Sequence, residues 1–325
     1  CAERRRAEGV DVTAYTTEAS ADDLDDLRAA LGAARLNLFG FSYGTHLALT
    51  AMRRHGDRLG RIVLAGTEGP DHTYKLPSVL DRQIDTVAAL AARDPAVASD
   101  VPDMAGLLRQ ILQRLGREPR KLTIANMRGA ERTITVGAWG FLYLLRRDIG
   151  DTNDLPGFPR LLHQIARGEL DALTRLAERR FTQLASGTPL MPIAMDCASG
   201  VSAARAAQIA AETRSSTFGV MTNYPFPEVC DTLGLKPLGD EFRAPLVSRL
   251  PVLFISGTLD ANTPPHQAEE IRRGLPLATH IIVEGAGHES TLPLPEVEQA
   301  ILDFLGGKDV RGRHLQIPLK FTPVR

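Results

Sequence analysis

The sequence is short of net charge and of long apolar runs. Its 325 residues contain 38 Lys and Arg against 39 Asp and Glu, a formal net charge of -1. This balance gives no indication of a nucleic-acid-binding surface or an acidic tail. No stretch approaches the roughly 20 apolar residues that cross a bilayer, and the first residues are charged, unlike a signal peptide. We therefore expect neither nucleic-acid nor membrane partners.

Cysteine is also rare. Cys1, Cys197 and Cys230 are an odd number, without the spacing of metal ligands. Cys197 and Cys230 could form a disulfide, which would indicate an oxidising compartment, or both could be buried free thiols. No cluster of His, Cys and carboxylates and no phosphate-cradling glycine loop occurs in the sequence. We therefore expect neither a metal nor an organic cofactor.

Alternating strand and helix patterns occupy both ends of the chain. Four short apolar runs are predicted strands, at 36–41, 61–67, 251–257 and 279–285. Amphipathic patterns beside and between them predict helices at 20–32, 44–58, 264–275 and 295–307. Parallel strands need crossover connections and are buried on both faces, so this order predicts an α/β fold with a parallel sheet flanked by helices.

The middle of the chain has a different character. Helical patterns joined by Pro- and Gly-containing loops dominate it, for example at 103–116 and 161–185. We predict a core formed by residues 1–71 and 245–325, with a helical cap, residues 72–244, inserted between two strands of one sheet. Insertions of this kind are tolerated at loops and often cover a site.

The turn after the first predicted strand contains the pattern G-x-S-x-G, as Gly40-Phe41-Ser42-Tyr43-Gly44. Between a strand and a helix this pattern is typical of a nucleophile elbow, which exposes a serine hydroxyl on a strained turn. The glycines would let strand and helix approach, and the amide of Tyr43 at the helix N-terminus could stabilise an oxyanion. The alternative is a serine that only caps the helix.

A serine nucleophile needs a base, and the base needs an acid that orients it. In this kind of fold the acid and then the histidine follow the serine in the chain. Asp260 follows the strand at 251–257, and His288 follows the strand at 279–285. Carboxyl ends of parallel strands meet at one edge of the sheet, so we predict that Ser42, Asp260 and His288 form a catalytic triad. Taken singly, Asp260 could be a turn residue, and His288 could cap a helix or face solvent from a loop.

Four segments resemble the α/β-hydrolases, and among them the tripeptidyl-aminopeptidase and prolyl-aminopeptidase branch of serine peptidases. They are GFSYGT, LFISGTLDANTPP, EGAGH and PFPEVCDTLG, and the resemblance extends from residue 1 to about residue 307. It implies that Ser42 is the nucleophile, that His288 is general base and acid, and that Asp260 orients the imidazole.

The same resemblance implies a substrate class. Enzymes of that branch cleave after a short N-terminal segment of a peptide, and acidic side chains of the cap hold the free amine. Candidates for this role are Asp196, Glu212 and Glu228, each of which could instead be a plain surface or helix-capping acid. Cys197 and Cys230 resemble a cap disulfide, and members of the family are commonly exported, which implies an extracellular or periplasmic location.

The sequence departs from the family before the elbow. Family members have upstream strands, an HGG-type loop that supplies the second oxyanion amide, and a DQRG-like segment. Here about 35 residues precede the strand at 36–41, and neither motif is present. That strand is apolar on both faces, like a central strand, but no earlier strand is predicted to pair with it. We therefore expect a hydrolase without its N-terminal strands.

The predicted function is acyl-enzyme hydrolysis by a serine hydrolase, with an aminopeptidase acting on small peptides as the first hypothesis. The triad fixes acyl transfer and not the leaving group, so an esterase acting on small esters is the alternative. A third possibility is a catalytically silent hydrolase, because the upstream motifs are missing.

Overall fold

The chain forms two compact units. The computed structural model describes residues 2–125, 129–149, 153–185 and 190–324, so that Cys1 lies outside the described residues. The first unit comprises residues 1–76, 189–214 and 223–318. The second unit comprises residues 77–188, 215–222 and 319–325.

The strands and helices follow one another in the order that the sequence predicts around the elbow. The strands are β1 (Leu36–Phe41), β2 (Leu59–Ala65), β3 (Arg120–Ala125), β4 (Glu131–Val136), β5 (Val252–Gly257), β6 (Ala278–Glu284) and β7 (Leu315–Gln316). The helices are α1 (Ala2–Ala7), α2 (Thr17–Ala30), α3 (Tyr43–His55), α4 (Pro77–Ala91), α5 (Met104–Arg117), α6 (Ala138–Asp148), α7 (Phe158–Ala166), α8 (Leu170–Ala185), α9 (Leu190–Ser199), α10 (Ala203–Thr213), α11 (Glu228–Leu233), α12 (Asp240–Arg243), α13 (Pro265–Arg272) and α14 (Pro295–Leu305).

A five-stranded sheet in the order β1-β2-β5-β6-β7 is the centre of the first unit. Each neighbouring pair is parallel, which confirms the predicted parallel sheet. The four predicted strands are β1, β2, β5 and β6, with ends shifted by no more than two residues, and β7 adds an edge strand that was not predicted. Strand β1 forms the other edge in the part of the chain that the structure describes.

Alternate residues of the central strands face opposite helix layers. One face packs with α3 and α13 and contains Ile62, Leu64, Val252 and Phe254. The other face packs with α14 and contains Val63, Ala65, Leu253 and Ile255. All eight side chains are fully buried. Burial of each one except the smaller Ala65 stabilises the unit by about 1.5–3 kcal/mol. The uninterrupted apolar strands follow from burial on both faces.

Helix α2 begins three residues earlier than the sequence predicts. The hydroxyl oxygen of Thr16 accepts a hydrogen bond from the Ala19 amide at 3.1 Å and serves as the N-cap. The helix ends before Gly32, which has φ 63°, a conformation that glycine adopts without the steric cost of a side chain.

The second unit is not purely helical. Strands β3 and β4 pair in antiparallel register within the segment predicted as a helical cap. The pattern at 161–185 forms two helices, α7 and α8, because Gly168 adopts φ 86° between them, which breaks the helix.

The two units also divide the chain differently from the predicted boundaries. Residues 189–214 and 223–244 belong to the unit that contains the sheet, although the sequence places them in the 72–244 insertion. Hydrogen bonds explain part of this grouping, since the carboxylate of Asp71 accepts from the Ser202 amide at 2.8 Å and from the Ser202 hydroxyl at 2.5 Å.

Cys197 on α9 and Cys230 on α11 form a disulfide within the first unit. The pair lies in a buried cluster with Val12, Ala194 and Leu235. The cross-link therefore connects two helices that contain candidate substrate-binding acids, Asp196 and Glu228.

Removal of this disulfide will destabilise the first unit. Its 33-residue separation corresponds to about 3.7 kcal/mol in the chain-entropy model. We expect Cys197→Ala/Cys230→Ala to unfold at lower urea concentration than the parent, both in a Cys1→Ser background that removes the third thiol. Reductant should lower the midpoint of the parent and leave the double variant unchanged; an unchanged parent midpoint contradicts a stabilising disulfide.

Candidate active site

Ser42 lies at the tip of a strained turn between β1 and α3. Its backbone has φ 53° and ψ -123°, and it is the one non-glycine residue with positive φ in the described part of the chain. Its amide donates to the Ala65 carbonyl at 3.0 Å, which continues the β1–β2 pairing into the turn. This geometry is that of a nucleophile elbow and not of a capping serine, because the Ser42 side chain makes no cap hydrogen bond to α3.

The two glycines of the motif have different roles. A Cβ on Gly40 would lie 2.5 Å from the Gly44 carbonyl oxygen, whereas a Cβ on Gly44 would meet nothing within 4 Å. The close approach of strand and helix therefore requires glycine at Gly40 and does not require it at Gly44. The sequence motif alone predicts the same role for both glycines.

The structure brings the predicted base and acid to Ser42. His288 Nε2 lies 2.9 Å from Ser42 Oγ, and His288 Nδ1 lies 2.8 Å from Asp260 Oδ2. Asp260 follows β5 and His288 follows β6, so all three residues lie beyond the carboxyl ends of parallel strands. The side chains of Asp260 and His288 are 1% and 7% exposed, which limits the competition of water for their hydrogen bond.

Asp260 is held by four hydrogen bonds. Its Oδ1 accepts from the amides of Asn262 and Thr263, each at 2.8 Å. Its Oδ2 accepts from the Thr263 hydroxyl at 2.6 Å and from His288 Nδ1. A carboxylate accepts but does not donate, so Nδ1 carries a proton, and Nε2 of the neutral ring is left to accept the Ser42 hydroxyl proton.

The surroundings of His288 raise the pKa of its imidazole. Burial alone disfavours the charged ring, but the hydrogen bond and the negative charge of Asp260 outweigh it and raise the pKa of His288 above its ordinary value. The ring also lies against Phe41, with 4.8 Å between ring centroids, so its orientation is fixed on the face as well as at both nitrogens.

A second Ser–His–acid chain lies in the same sheet. His280 Nε2 is 3.0 Å from Ser256 Oγ and its Nδ1 is 2.6 Å from Glu269 Oε1. Ser256 is completely buried within β5, so no substrate reaches its hydroxyl. Access, and not hydrogen-bond geometry, distinguishes the candidate nucleophile Ser42 from Ser256.

Among the predicted acids, Asp196 lies next to the elbow. Its neighbour Met195 accepts a hydrogen bond from the Tyr43 hydroxyl, with 3.6 Å between oxygen and sulfur. Burial and the negative charge of Glu68 raise the pKa of Asp196 to about 7, although Lys75 opposes this. In the described residues no Lys, Arg or His nitrogen lies within ion-pair distance of the Asp196 carboxylate.

The other two predicted acids, Glu212 and Glu228, lie on helices α10 and α11. Glu212 accepts a hydrogen bond from Gln208 at 2.9 Å on α10. Glu228 is exposed at the first residue of α11. Burial is the main cause that raises the pKa of Tyr74 to about 12, and the negative charges of Asp196 and Glu228 add to it. Of the three predicted acids, Asp196 is the one whose charge contributes to raising the pKa of Tyr43 at the elbow.

Sequence analysis missed a buried acid, Glu68. It is 8% exposed, forms an ion pair with Lys75, and its amide donates to the Thr45 hydroxyl at 2.7 Å. Burial disfavours its ionisation, but Lys75 and His46 together lower the pKa of Glu68 below its ordinary value. In the sequence, Glu68 lies just beyond the end of a predicted strand, which is the same position that identified Asp260.

Within the described ranges, no group of three or more His, Cys, Asp or Glu side chains is placed to hold a metal ion. None of the helices described there is both long and apolar enough to cross a membrane.

The sequence matches a model of the alpha/beta hydrolase fold family over residues 1–293. This match covers most of the chain, including the elbow, Asp260 and His288. No curated protein matches the sequence significantly.

Several solved structures are similar at low identity. A thermophilic esterase from Thermogutta terrifontis is 19% identical, with a TM-score of 0.39 over 90% of this chain and 72% of that chain. A proline iminopeptidase-related protein from Thermus thermophilus is 19% identical, with a TM-score of 0.40 over 91% and 72%. An epoxide hydrolase from Bacillus megaterium is 14% identical, with a TM-score of 0.40 over 91% and 78%. At these values the similarities carry no argument about substrate.

The raised pKa of His288 can be tested directly. We expect its imidazole to titrate above the ordinary value of about 6.5 in the parent protein, measured by ¹⁵N NMR of the ring nitrogens. Asp260→Asn removes the negative charge and leaves burial, so the pKa of His288 should fall below 6.5. A value that does not change between the two proteins contradicts the electrostatic role of Asp260.

Proposed function

The chain belongs to the alpha/beta hydrolase fold family, and we propose that it is a serine hydrolase that works through an acyl-enzyme. The observation that carries the proposal is the continuous chain from Ser42 through His288 to Asp260, with Ser42 raised on a strained turn. A hydroxyl, a neutral imidazole and a buried carboxylate in this order are the parts that activate a serine.

In the proposed mechanism each group has one step. Ser42 Oγ attacks the substrate carbonyl while His288 Nε2 takes the hydroxyl proton, and Asp260 stabilises the resulting imidazolium. The amide of Tyr43, the first residue of α3, has no acceptor within the helix and can donate to the oxyanion. His288 then gives the proton to the leaving group, and water attacks the acyl-enzyme by the same route.

Covalent labelling tests this function. We expect a fluorophosphonate to modify the purified protein on Ser42, located by peptide mapping, because its hydroxyl is activated by His288. Ser42→Ala should not react, whereas Ser256→Ala, which removes the buried serine of the second Ser–His–acid chain, should still be labelled on Ser42. Labelling that persists in Ser42→Ala, or a folded parent protein that does not react, would refute the proposal.

For the substrate, we propose a short peptide with a free N-terminal amine, which makes the protein an aminopeptidase. Asp196 supports this assignment because it is a partly buried carboxyl group beside the elbow with no cation at ion-pair distance in the described residues. Burial of an unpaired charge is costly, so a substrate ammonium group would relieve the cost. The family resemblance of the sequence motifs supports the same substrate class.

A small ester is the second candidate substrate. Burial and the charge of Glu68, which raise the pKa of Asp196 to about 7, favour it, because an uncharged carboxyl group at this position does not require a cationic substrate. The triad itself does not select between amide and ester leaving groups.

The disulfide between Cys197 and Cys230 supports a location outside the cytoplasm. Disulfides persist in oxidising compartments and are rare where thiols are kept reduced. We therefore propose an extracellular or periplasmic location.

Amine recognition by Asp196 makes a pH-dependent prediction. A raised pKa means that Asp196 becomes charged only as the pH rises through about 7, so KM for a free-amine peptide amide should fall over that interval. In Asp196→Asn we expect this KM to increase about 10- to 100-fold and to lose that pH dependence, given the strength of hydrogen bonds to charged groups.

An N-acetylated amide or a p-nitrophenyl ester provides the control, and its KM should be the same for both proteins. Glu228→Gln tests whether the exposed acid on α11 is used instead. If that variant, and not Asp196→Asn, raises KM for the free amine, the assignment to Asp196 is wrong. Equal turnover of blocked and free peptides would reject an aminopeptidase and leave the serine hydrolase intact.

A further inference from the structure

The hydroxyl of Thr263 lies between the acid and the base of the site. Its oxygen is 2.6 Å from Asp260 Oδ2 and 3.1 Å from His288 Nδ1. Thr263 is 1% exposed, so no water competes for these contacts. The same Asp260 oxygen therefore receives two donors, the threonine hydroxyl and the imidazole Nδ1–H.

The surroundings allow this hydroxyl little freedom. The Thr263 amide donates to Asp260 Oδ1 at 2.8 Å, which fixes the backbone against the same carboxylate. On the other side lies Gly66, where a Cβ would be only 3.1 Å from both Thr263 Oγ1 and His288 Cε1. The Gly66 backbone therefore leaves little free space beside the Thr263 hydroxyl and the His288 imidazole.

The chemistry of the contact determines the direction of its effect. A hydroxyl has one proton, and at 2.6 Å from a carboxylate oxygen it forms a strong charge-assisted hydrogen bond. That bond withdraws part of the negative charge from the oxygen that faces Nδ1. Without it, the oxygen would carry more charge and attract the imidazolium more strongly. The two amide hydrogen bonds to Oδ1 would still keep the carboxylate beside His288, but Oδ2 would be less precisely aligned with Nδ1.

We propose that Thr263 is a positioning residue for the acyl-transfer reaction, whose hydroxyl holds the Asp260 carboxylate in line with His288 and shares its charge. The catalytic part of this role rests on the proposed serine hydrolase function. The contact itself does not, since it is a property of the folded protein.

The test compares three variants. Thr263→Val replaces the hydroxyl by a methyl group of similar size, and Thr263→Ser keeps the hydroxyl. Thr291→Val is the matched control, because Thr291 is another buried threonine, close after His288 in the chain, whose hydroxyl has no hydrogen-bond partner in the described structure. Circular dichroism and thermal melting establish that each variant is folded.

Two measurements are made on each protein. In Thr263→Val we expect the pKa of His288, followed by ¹⁵N NMR, to rise by about half a unit or more, and kcat/KM at its plateau to fall about 10- to 100-fold. The fall should be in kcat, because the hydroxyl does not contact substrate. Thr263→Ser should restore both quantities to within about threefold of the parent, and Thr291→Val should change neither.

Three results would overturn the proposal: an unchanged or lower His288 pKa in folded Thr263→Val, a Thr263→Ser variant as impaired as Thr263→Val, or an equal effect of Thr291→Val. If Thr263→Val does not fold, Thr263→Ser decides alone, since loss of activity with the hydroxyl present also contradicts the role. A parent protein without Ser42-dependent activity refutes the proposed function, but the NMR titration still decides the contact.

Discussion

The functional part of the first unit depends on one strained backbone conformation, that of Ser42. A non-glycine residue with φ 53° and ψ -123° costs about 1–3 kcal/mol and persists only where its surroundings over-determine it. The Ser42 amide is bonded to Ala65, and its carbonyl accepts from both the amide and the hydroxyl of Thr45 at 2.8 and 2.6 Å. Gly40 provides the space for helix α3 to come this close. Together these contacts direct Oγ toward His288.

The strained turn at Ser42 explains why the two Ser–His–acid chains of this sheet differ in whether a substrate can reach the serine. Ser256 belongs to a regular strand, so its side chain points into the layer of helices and is completely buried. Ser42 lies beyond its strand and is partly exposed, while the side chains of the acid and the base remain buried. Hydrogen-bond geometry is the same in both cases to within a few tenths of an ångström. The position of the serine relative to the strand end determines which of them a substrate can reach.

The parallel sheet and the Ser42–Asp260–His288 arrangement could be predicted because both follow from local patterns. Apolar runs marked the strands, and each of the three residues lies just past such a run. Features that depend on distant contacts could not be predicted in the same way. Pairing of β3 with β4 depends on register between two polar strands, and the grouping of residues 189–214 with the sheet depends on Ser202 meeting Asp71. Thr263 could be seen in the sequence only as a turn residue, because its role requires the positions of two other side chains.

The charged side chains beside the elbow include Glu68, Asp196 and Lys75. Lys75 forms an ion pair with Glu68, and its positive charge also acts on Asp196 from beyond ion-pair distance. A buried group of this composition has one negative charge too many when both acids are ionised, and it lowers that cost either by retaining a proton or by accepting a cation. The raised pKa of Asp196 is the first of these solutions. Because the second requires only a cationic group on the substrate, the same electrostatic imbalance that perturbs Asp196 in the free protein would favour binding of an amine.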